Sequence, residues 1–223
     1  MTDFNSMRVN MVNNQIKPFA VTNPVILDAF TTVPREFFSQ FTIESGIYTD
    51  NILFLSQKKK FESRFHLSPA VFAKMIQIAD IRSNETVLDI GCLTGYSSVI
   101  LSKICATVDA LDQHEELVDI ANENIKKLDI DNIQVNHGKL KKGWKKKELY
   151  DAIFINGSVD LVPQSINEQV RDGGRVVTIK RDGQIGNMVI LKKAGDYMNQ
   201  INHFEVTIPY ISKDFISKSE FAF

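Results

Sequence analysis

The stretch from Val87 to Tyr96 constrains the fold more than any other part of the chain. Residues 86–90 are apolar or β-branched apart from Asp89, which is the pattern of a parallel strand buried on both faces. Gly91 and Gly95 then bracket a turn in which a Cβ atom would obstruct the chain or a ligand. Apolar residues at helical spacing follow. Strand, glycine turn and helix form the opening of a nucleotide-binding βαβ unit, in which backbone amides face the ligand.

The spacing of the glycines excludes two familiar nucleotide loops. The dinucleotide fingerprint requires glycine where this chain has Leu93 and Tyr96, and no Gly-Lys-Ser/Thr sequence of a phosphate-binding P-loop is present. An acid two residues before the first glycine resembles the first motif of class I S-adenosylmethionine-dependent methyltransferases, with Leu93 replacing the middle glycine. That resemblance implies S-adenosyl-L-methionine as the cofactor. The residues that it places beside the cofactor are Asp89, Gly91, Cys92 and Gly95.

The composition narrows the class of protein. With 223 residues, 43% hydrophobic and 24% charged, the chain suits one α/β domain with an appendage. Its net charge of −1 favours neither nucleic acid nor an anionic membrane as a partner. It has no apolar run of the ~20 residues needed to span a bilayer and no recognisable signal peptide, so we expect a cytoplasmic protein. The two cysteines are expected as free, buried thiols, and the four histidines lack metal-ligand spacing, so no metal is predicted.

Strand-like segments alternate with helical ones along the rest of the chain. This alternation predicts an α/β, Rossmann-like fold, with a mostly parallel central sheet of about seven strands and helices on both faces. We expect residues 1–80 to form an N-terminal helical extension and lid, and residues 81–223 to form the cofactor-binding domain, as one compact unit. Ser68 is predicted to cap a helix that begins at Pro69. A helix is predicted over 162–170 and a turn at 171–174, and two antiparallel edge strands are predicted at 187–192 and 204–208.

Asp112 ends the second predicted strand and lies 21 residues after Gly91. A carboxylate at ~20 residues from the glycine turn binds ribose hydroxyls in such units, and both hydroxyls can donate to it. The alternative is a helix cap for the segment from Glu115 to Leu128, and the two roles can coexist. We predict ribose binding, with Gln113 beside the same ligand. We expect Asp112→Ala to weaken cofactor binding without unfolding the protein.

A loop from Lys139 to Lys147 carries six lysines around Trp144. A basic loop with an aromatic residue could bind an acidic or nucleic partner. The alternative is a solvated turn with Trp144 packed against the core. Because the net charge is close to zero, we favour the solvated turn.

At this point the chain resembles the protein-L-isoaspartate O-methyltransferase family, in the shorter, divergent form found in many alphaproteobacteria. The resemblance covers nearly the whole chain. The matching segments are Met11-Val12-x-x-Gln15-Ile16, Val21-Thr22-Asn23-Pro24, Val33-Pro34-Arg35-Glu36-x-Phe38, Val87 to Tyr96, Gly143-Trp144, Tyr150 to Ile153, Gly173 to Val177 and Phe221-Ala222-Phe223.

The resemblance implies methyl transfer from S-adenosyl-L-methionine to a carboxylate of a protein or peptide. It places Asn156 near the transferable methyl group, and His66 and Ser68 on the lid as the candidate catalytic residues. The adenine is expected beside Gly138, Lys139 and Leu140.

Three residues depart from the family pattern. Leu67 stands where the lid of the familiar enzymes has serine, Lys139 replaces the acid that holds the adenine amino group, and Leu93 replaces a glycine of the cofactor loop. The departure at Leu67 predicts weak or absent transfer to isoaspartyl peptides, while Lys139 and Leu93 bear on the affinity for the cofactor. These departures keep two alternatives open, a methyltransferase for a small-molecule acceptor and a non-catalytic cofactor-binding or interaction protein.

Overall fold

The computed structural model describes residues 3–42, 46–55, 59–61, 63–146 and 148–217. Between residues 86 and 182, helices or a 3₁₀ turn separate consecutive strands, as the sequence predicts, and the last three strands follow one another without a helix. The α-helices are α1 (Phe4–Met11), α2 (Pro24–Thr32), α3 (Pro69–Ala79), α4 (Tyr96–Ser102), α5 (Glu115–Lys127) and α6 (Gln164–Asn167). The strands are β1 (Leu53–Phe54), β2 (Phe65–His66), β3 (Thr86–Ile90), β4 (Thr107–Asp112), β5 (Ile133–His137), β6 (Tyr150–Val159), β7 (Val170–Asp182), β8 (Ile185–Ala194) and β9 (Tyr197–Glu205).

The N-terminal region is helical but irregular. Helix α1 continues into a π-helical turn, Val12–Ile16, and a 3₁₀ turn, Lys17–Phe19. Asn23 then caps α2, because its Oδ1 accepts from the amides of Val25 and Ile26. The region therefore folds as short helical pieces separated by turns.

The central sheet has seven strands in the order β5-β4-β3-β6-β7-β8-β9. The first five are parallel to one another, and β8 and β9 are antiparallel additions at one edge. Since β3 lies between β4 and β6, the carboxyl ends of these three strands form one crevice at the centre of the sheet. The predicted fold class is confirmed.

Three predicted details were wrong. The last edge strand is Tyr197–Glu205 and not 204–208, because Gly195, at φ 60°, allows a two-residue hairpin directly after β8. Strand β9 is mostly exposed and carries little hydrophobic alternation that would mark it in the sequence. The helix predicted over 162–170 is only one turn, α6, and the turn predicted at 171–174 lies within β7.

The core lies on both faces of the sheet. On one face, Met11, Ile26 and Phe30 of the N-terminal region pack in the same cluster as Val87 and Phe154 of the sheet. On the other face, sheet residues pack with Trp144 and with Ile211 and Phe215 of the C-terminal segment. That segment crosses the carboxyl end of β6, where it reaches the crevice. Among the described residues, no helix is long and apolar enough to cross a membrane.

Candidate functional site

Asp89 is the centre of a buried hydrogen-bond cluster at the end of β3. The hydroxyls of Ser97 and Ser98 and the amide Nδ2 of Asn156 each donate to its carboxylate at 2.6 Å. Burial raises the pKa of Asp89, and the three donors oppose that rise. Asp89 thus joins β3, α4 and β6 at the point where the predicted cofactor would lie.

The turn between β3 and α4 has the backbone conformations that its glycines predict. Gly91 has φ 85° and Gly95 has φ 99°, both in the region that favours glycine. Leu93, which replaces the middle glycine of the motif, also has a positive φ, 55°. Its side chain is buried in a small cluster with Leu55, Phe61 and Leu117. This burial offsets a backbone strain of about 1–2 kcal/mol.

Asp112 is fully buried and ion-paired with Arg64. The guanidinium Nη2 lies 2.6 Å from Oδ2 of Asp112, and both side chains are almost inaccessible to solvent. The amides of Leu93 and His114 also donate to this carboxylate, each at 3.1 Å. The N-cap residue of α5 is His114, so the alternative that Asp112 caps this helix was wrong. The geometry leaves ribose binding by Asp112 as a prediction.

The C-terminal segment 208–217, which we call the strap, lies against the same crevice. Its backbone exchanges hydrogen bonds with Ser158 of β6, from Ser158 N to Pro209 O at 2.9 Å and from Ile211 N to Ser158 O at 3.1 Å. Arg64 Nη1 donates to the carbonyl of Ile211 at 3.1 Å. The strap and Arg64 therefore hold each other over the ends of β3 and β6.

A cavity of about 20 Å³ remains in the crevice. Its lining residues come from the lid segment, α3, the glycine turn, α4 and β6: Phe65, His66, Leu67, Phe72, Gly91, Leu93, Tyr96, Ser97 and Asn156. Such a volume holds about one water molecule, whereas ligand pockets measure ~300–1,000 Å³. The donor types thus match a nucleoside cofactor, but in this conformation the chain's own side chains fill most of the space that it needs.

The lid residues have distinct surroundings. His66 is buried next to Tyr96, and burial together with the Arg35 cation lowers its pKa to about 3. Its Nε2 has no hydrogen-bond partner among the described residues, and neither has Oδ1 of Asn156. Leu67 lines the cavity.

Ser68 differs from its prediction. It is the N-cap residue of α3, but within the described chain its side chain makes no capping hydrogen bond. The amide of Ala70 donates instead to Asp50 Oδ1, at 3.0 Å. Side-chain capping by Ser68 was therefore wrong, because a carboxylate from a neighbouring loop takes that amide.

The residues predicted beside the adenine lie at the end of β5. A Cβ on Gly138 would lie 3.6 Å from the Trp144 ring, Leu140 is buried, and Lys139 is exposed. Gln113 lines a separate, open depression of about 420 Å³ with Phe61, His114 and His137. Cys92 is a free, buried thiol beside the turn, and burial raises its pKa. The roles of these residues remain predictions.

The lysine-rich loop is a surface turn in its described part. Trp144 packs against the core, and Lys146 pairs with Asp109 at 2.5 Å. Both observations agree with the solvated turn that the sequence favours.

Sequence reasoning missed Arg64 and Ile211 as residues of the site. Arg64 precedes Asp112 by 48 positions, and Ile211 follows Gly91 by 120 positions. A buried arginine needs an acidic partner, but nothing in the local pattern marks Arg64 as buried. Ile211 lies in an irregular segment without periodicity.

Comparisons with known proteins identify the same family. The model of the family described as protein-L-isoaspartate(D-aspartate) O-methyltransferase (PCMT) matches residues 6–213. A protein-L-isoaspartate O-methyltransferase of Syntrophus aciditrophicus (strain SB) is 27% identical over 201 residues, which are 90% of each chain. Protein-L-isoaspartate O-methyltransferase 1 of Rhodopseudomonas palustris (strain HaA2) is 32% identical over 176 residues, 79% of this chain and 70% of that protein.

A solved structure shares the fold. It is a putative protein-L-isoaspartate O-methyltransferase from Plasmodium falciparum, in complex with S-adenosyl-L-homocysteine. The two chains are 17% identical with a TM-score of 0.76, over 96% of this chain and 100% of that one. At this identity the likeness concerns the fold alone.

Proposed function

Because the chain belongs to the protein-L-isoaspartate O-methyltransferase family, we propose that it transfers a methyl group from S-adenosyl-L-methionine to a carboxylate of a protein or peptide. The observation that carries the proposal is the set of polar groups at the carboxyl ends of three neighbouring strands. Asp89, Asp112 and Asn156 meet there beside a turn of positive-φ glycines. The solved relative that holds S-adenosyl-L-homocysteine supports the choice of cofactor.

The proposed cofactor-holding residues are those of the crevice. Gly91, Cys92 and Gly95 present backbone, and Asp89 fixes the turn through its serine partners. Asp112, once free of Arg64, has the carboxylate that two ribose hydroxyls require. Gln113 and residues 138–140 border the adenine in this proposal.

Methyl transfer to a carboxylate requires little acid–base catalysis from the protein. The cofactor supplies a methyl group on a sulfonium, and a carboxylate acceptor is already ionised at neutral pH. The protein must align the acceptor and exclude water. His66, whose pKa is about 3, is neutral at pH 7. Its Nε2 has no hydrogen-bond partner among the described residues and can orient an acceptor that enters beneath the lid. The proposal needs no general base.

The acceptor is where this chain differs from the family pattern. Leu67 lines the cavity with an alkyl side chain, which can neither donate to nor accept from a carboxylate. A site that lacks a donor loses much of its discrimination for the group that the donor would bind. This observation favours weak transfer to isoaspartyl peptides, and it supports a different, small-molecule acceptor as the second candidate.

The test is a transfer assay with radiolabelled methyl groups on S-adenosyl-L-methionine. The acceptors are an isoaspartyl peptide, its aspartyl twin, a mixture of aged proteins and a panel of small carboxylic acids. We expect base-labile methyl esters on at least one acceptor and little on the isoaspartyl peptide. Cofactor binding without ester on any acceptor would contradict carboxyl transfer, and robust ester on the isoaspartyl peptide alone would contradict the role given to Leu67.

A further inference from the structure

The ion pair of Arg64 and Asp112 occupies the carboxylate that the cofactor's ribose would need. Asp112 already accepts from Arg64, from the Leu93 amide and from the His114 amide. Its Oδ2 receives both the guanidinium and the Leu93 amide. A carboxylate has about four acceptor positions, so only one, on Oδ1, remains, and the two ribose hydroxyls cannot both donate to Asp112 while Arg64 is in place.

Ile211 fills the space next to the glycine turn. A Cβ atom placed on Gly91 would lie 2.7 Å from Cδ1 of Ile211 and 3.6 Å from Nη2 of Arg64. A Cβ placed on Gly157 would lie 2.6 Å from Cα of Ile211. Glycines at these positions let the strap approach as closely as a ligand would. The space that the glycine turn leaves open is thus occupied by the side chain of Ile211.

We infer that Arg64 and Ile211 form an internal plug, and that S-adenosyl-L-methionine or S-adenosyl-L-homocysteine enters the crevice only when both side chains are displaced. This inference rests on the proposed function, because it concerns the same cofactor. The ligand selects an open form of the protein. Its apparent dissociation constant is the intrinsic constant divided by the fraction of open molecules.

The contacts that hold the plug can be replaced by other contacts when the cofactor binds. A buried ion pair pays a large desolvation cost, so its net stabilisation is small provided that each charge finds a new partner. For Asp112 the new partners are the ribose hydroxyls. For Arg64 they are water molecules outside the crevice. The strap around Ile211 is held to β6 by backbone hydrogen bonds at Ser158 and Asp160 and by the Tyr210–Asp160 side-chain bond.

Two variants loosen the plug from opposite sides. Ile211→Ala removes the alkyl group that lies against Gly91, and Arg64→Gln removes the charge that holds Asp112. Ile208→Ala is the matched control for the first, since Ile208 is also buried on the strap but packs in the cluster with the N-terminal helices. Arg175→Gln is the control for the second, since Arg175 pairs with Glu85 before the amino end of β3.

The experiment measures S-adenosyl-L-homocysteine binding to the purified full chain by calorimetry, with circular dichroism to confirm that each variant is folded. We expect Ile211→Ala and Arg64→Gln to lower the apparent dissociation constant at least tenfold, and each control to change it less than threefold. Equal affinity of the parent and both plug variants would overturn the plug and leave the proposed function intact. Absence of binding in the parent and in every folded variant would overturn both.

A second measurement needs no variant. Trp144, the only tryptophan of the chain, lies against Gly138, which the proposed function places beside the adenine, so its fluorescence should change when the ligand binds. In stopped-flow mixing with S-adenosyl-L-homocysteine, we expect an observed rate that reaches a plateau at the opening rate of the plug. A rate that rises linearly with ligand, up to values typical of an open site, would overturn the inference.

Discussion

The ion pair of Asp112 and Arg64 lies in the proposed cofactor site and also contributes to the stability of the fold. Both side chains are buried, so removal of one leaves the other charged and without water. We expect Asp112→Ala to lower the free energy of unfolding by about 3–5 kcal/mol. The sequence analysis predicted only that Asp112→Ala does not unfold the protein, and the buried ion pair adds this loss of stability to that prediction.

A double variant provides the control for this prediction. Replacing both partners, as in Arg64→Met with Asp112→Leu, removes the two charges together, which is often neutral or stabilising. Urea unfolding of the parent, the single variant and the double variant measures the difference. If Asp112→Ala is as stable as the parent, the ion pair does not stabilise the fold in solution.

His66 predicts a specific dependence of stability on pH. Its pKa is about 3 in the folded protein and about 6.5 when unfolded, since burial and the Arg35 cation disfavour the charged ring. Between these values the unfolded chain binds one more proton than the folded protein. The free energy of unfolding therefore falls by about 1.4 kcal/mol per pH unit as the pH drops below 6.5.

The measurement is urea unfolding at several pH values between 4.5 and 7.5, for the parent and for His66→Gln. Glutamine does not titrate, so the variant should lose this share of the slope while the other groups contribute equally to both proteins. Identical slopes would show that the His66 ring is accessible to protons in the folded state.

At the level of elements, the strap depends on Gly157. Its φ is not in the left-handed region, so a Gly157→Ala change meets only the steric obstacle of Ile211, whose Cα would lie 2.6 Å from the new Cβ. We expect the variant to release the strap from β6, with faster hydrogen exchange at the amides of Ser158 and Ile211. Gly46→Ala is the matched control, because its nearest contact is at an ordinary 3.5 Å. Unchanged exchange in Gly157→Ala would mean that the strap adjusts without detaching.

The sequence predicted those elements whose pattern is local. Strands β3, β4 and β6 were recognisable because buried parallel strands carry mostly apolar residues on both faces, and the glycine turn was recognisable because its spacing fixes the backbone. The position of the strap was not predictable. Its place depends on how closely Gly157 lets another segment approach, and glycine in a sequence does not say which segment that is.

The same limit applies to the site. The family resemblance placed Asp89 and Asn156 beside the cofactor, and Asp112 was placed there by its position at a strand end. The structure brings the three side chains to the crevice, and their roles stay predictions. The partner of Asp112 was missed, since a salt bridge over 48 residues of chain depends on tertiary packing. Ser68 was assigned as a cap from its position before Pro69. Nothing in the sequence indicates that Asp50, from a neighbouring loop, accepts from the Ala70 amide instead.

At the scale of the whole molecule, the N-terminal region is tied into the cofactor-binding part. Thr94 Oγ1 in the glycine turn donates to the carbonyl of Phe38 at 2.6 Å, and Gln40 Nε2 donates to Oδ1 of Asn124 in α5 at 3.1 Å. The ring of Phe30 packs against Tyr96 of α4. Loss of the first 38 residues would therefore expose the buried face of the sheet and of α4, together with several unsatisfied polar groups.

We therefore predict that the chain unfolds as one cooperative unit, although the sequence divides into an extension, 1–80, and a cofactor-binding part, 81–223. Trp144 reports on the sheet face opposite to the N-terminal helices, while far-ultraviolet circular dichroism reports on all helices. The two probes should give the same urea midpoint, because neither face retains a complete core once the other is lost. A fragment of residues 81–223 should lack the near-ultraviolet dichroism of packed aromatic rings. Separate midpoints, or a folded fragment, would show instead that the N-terminal region is an independent lid on a self-sufficient domain.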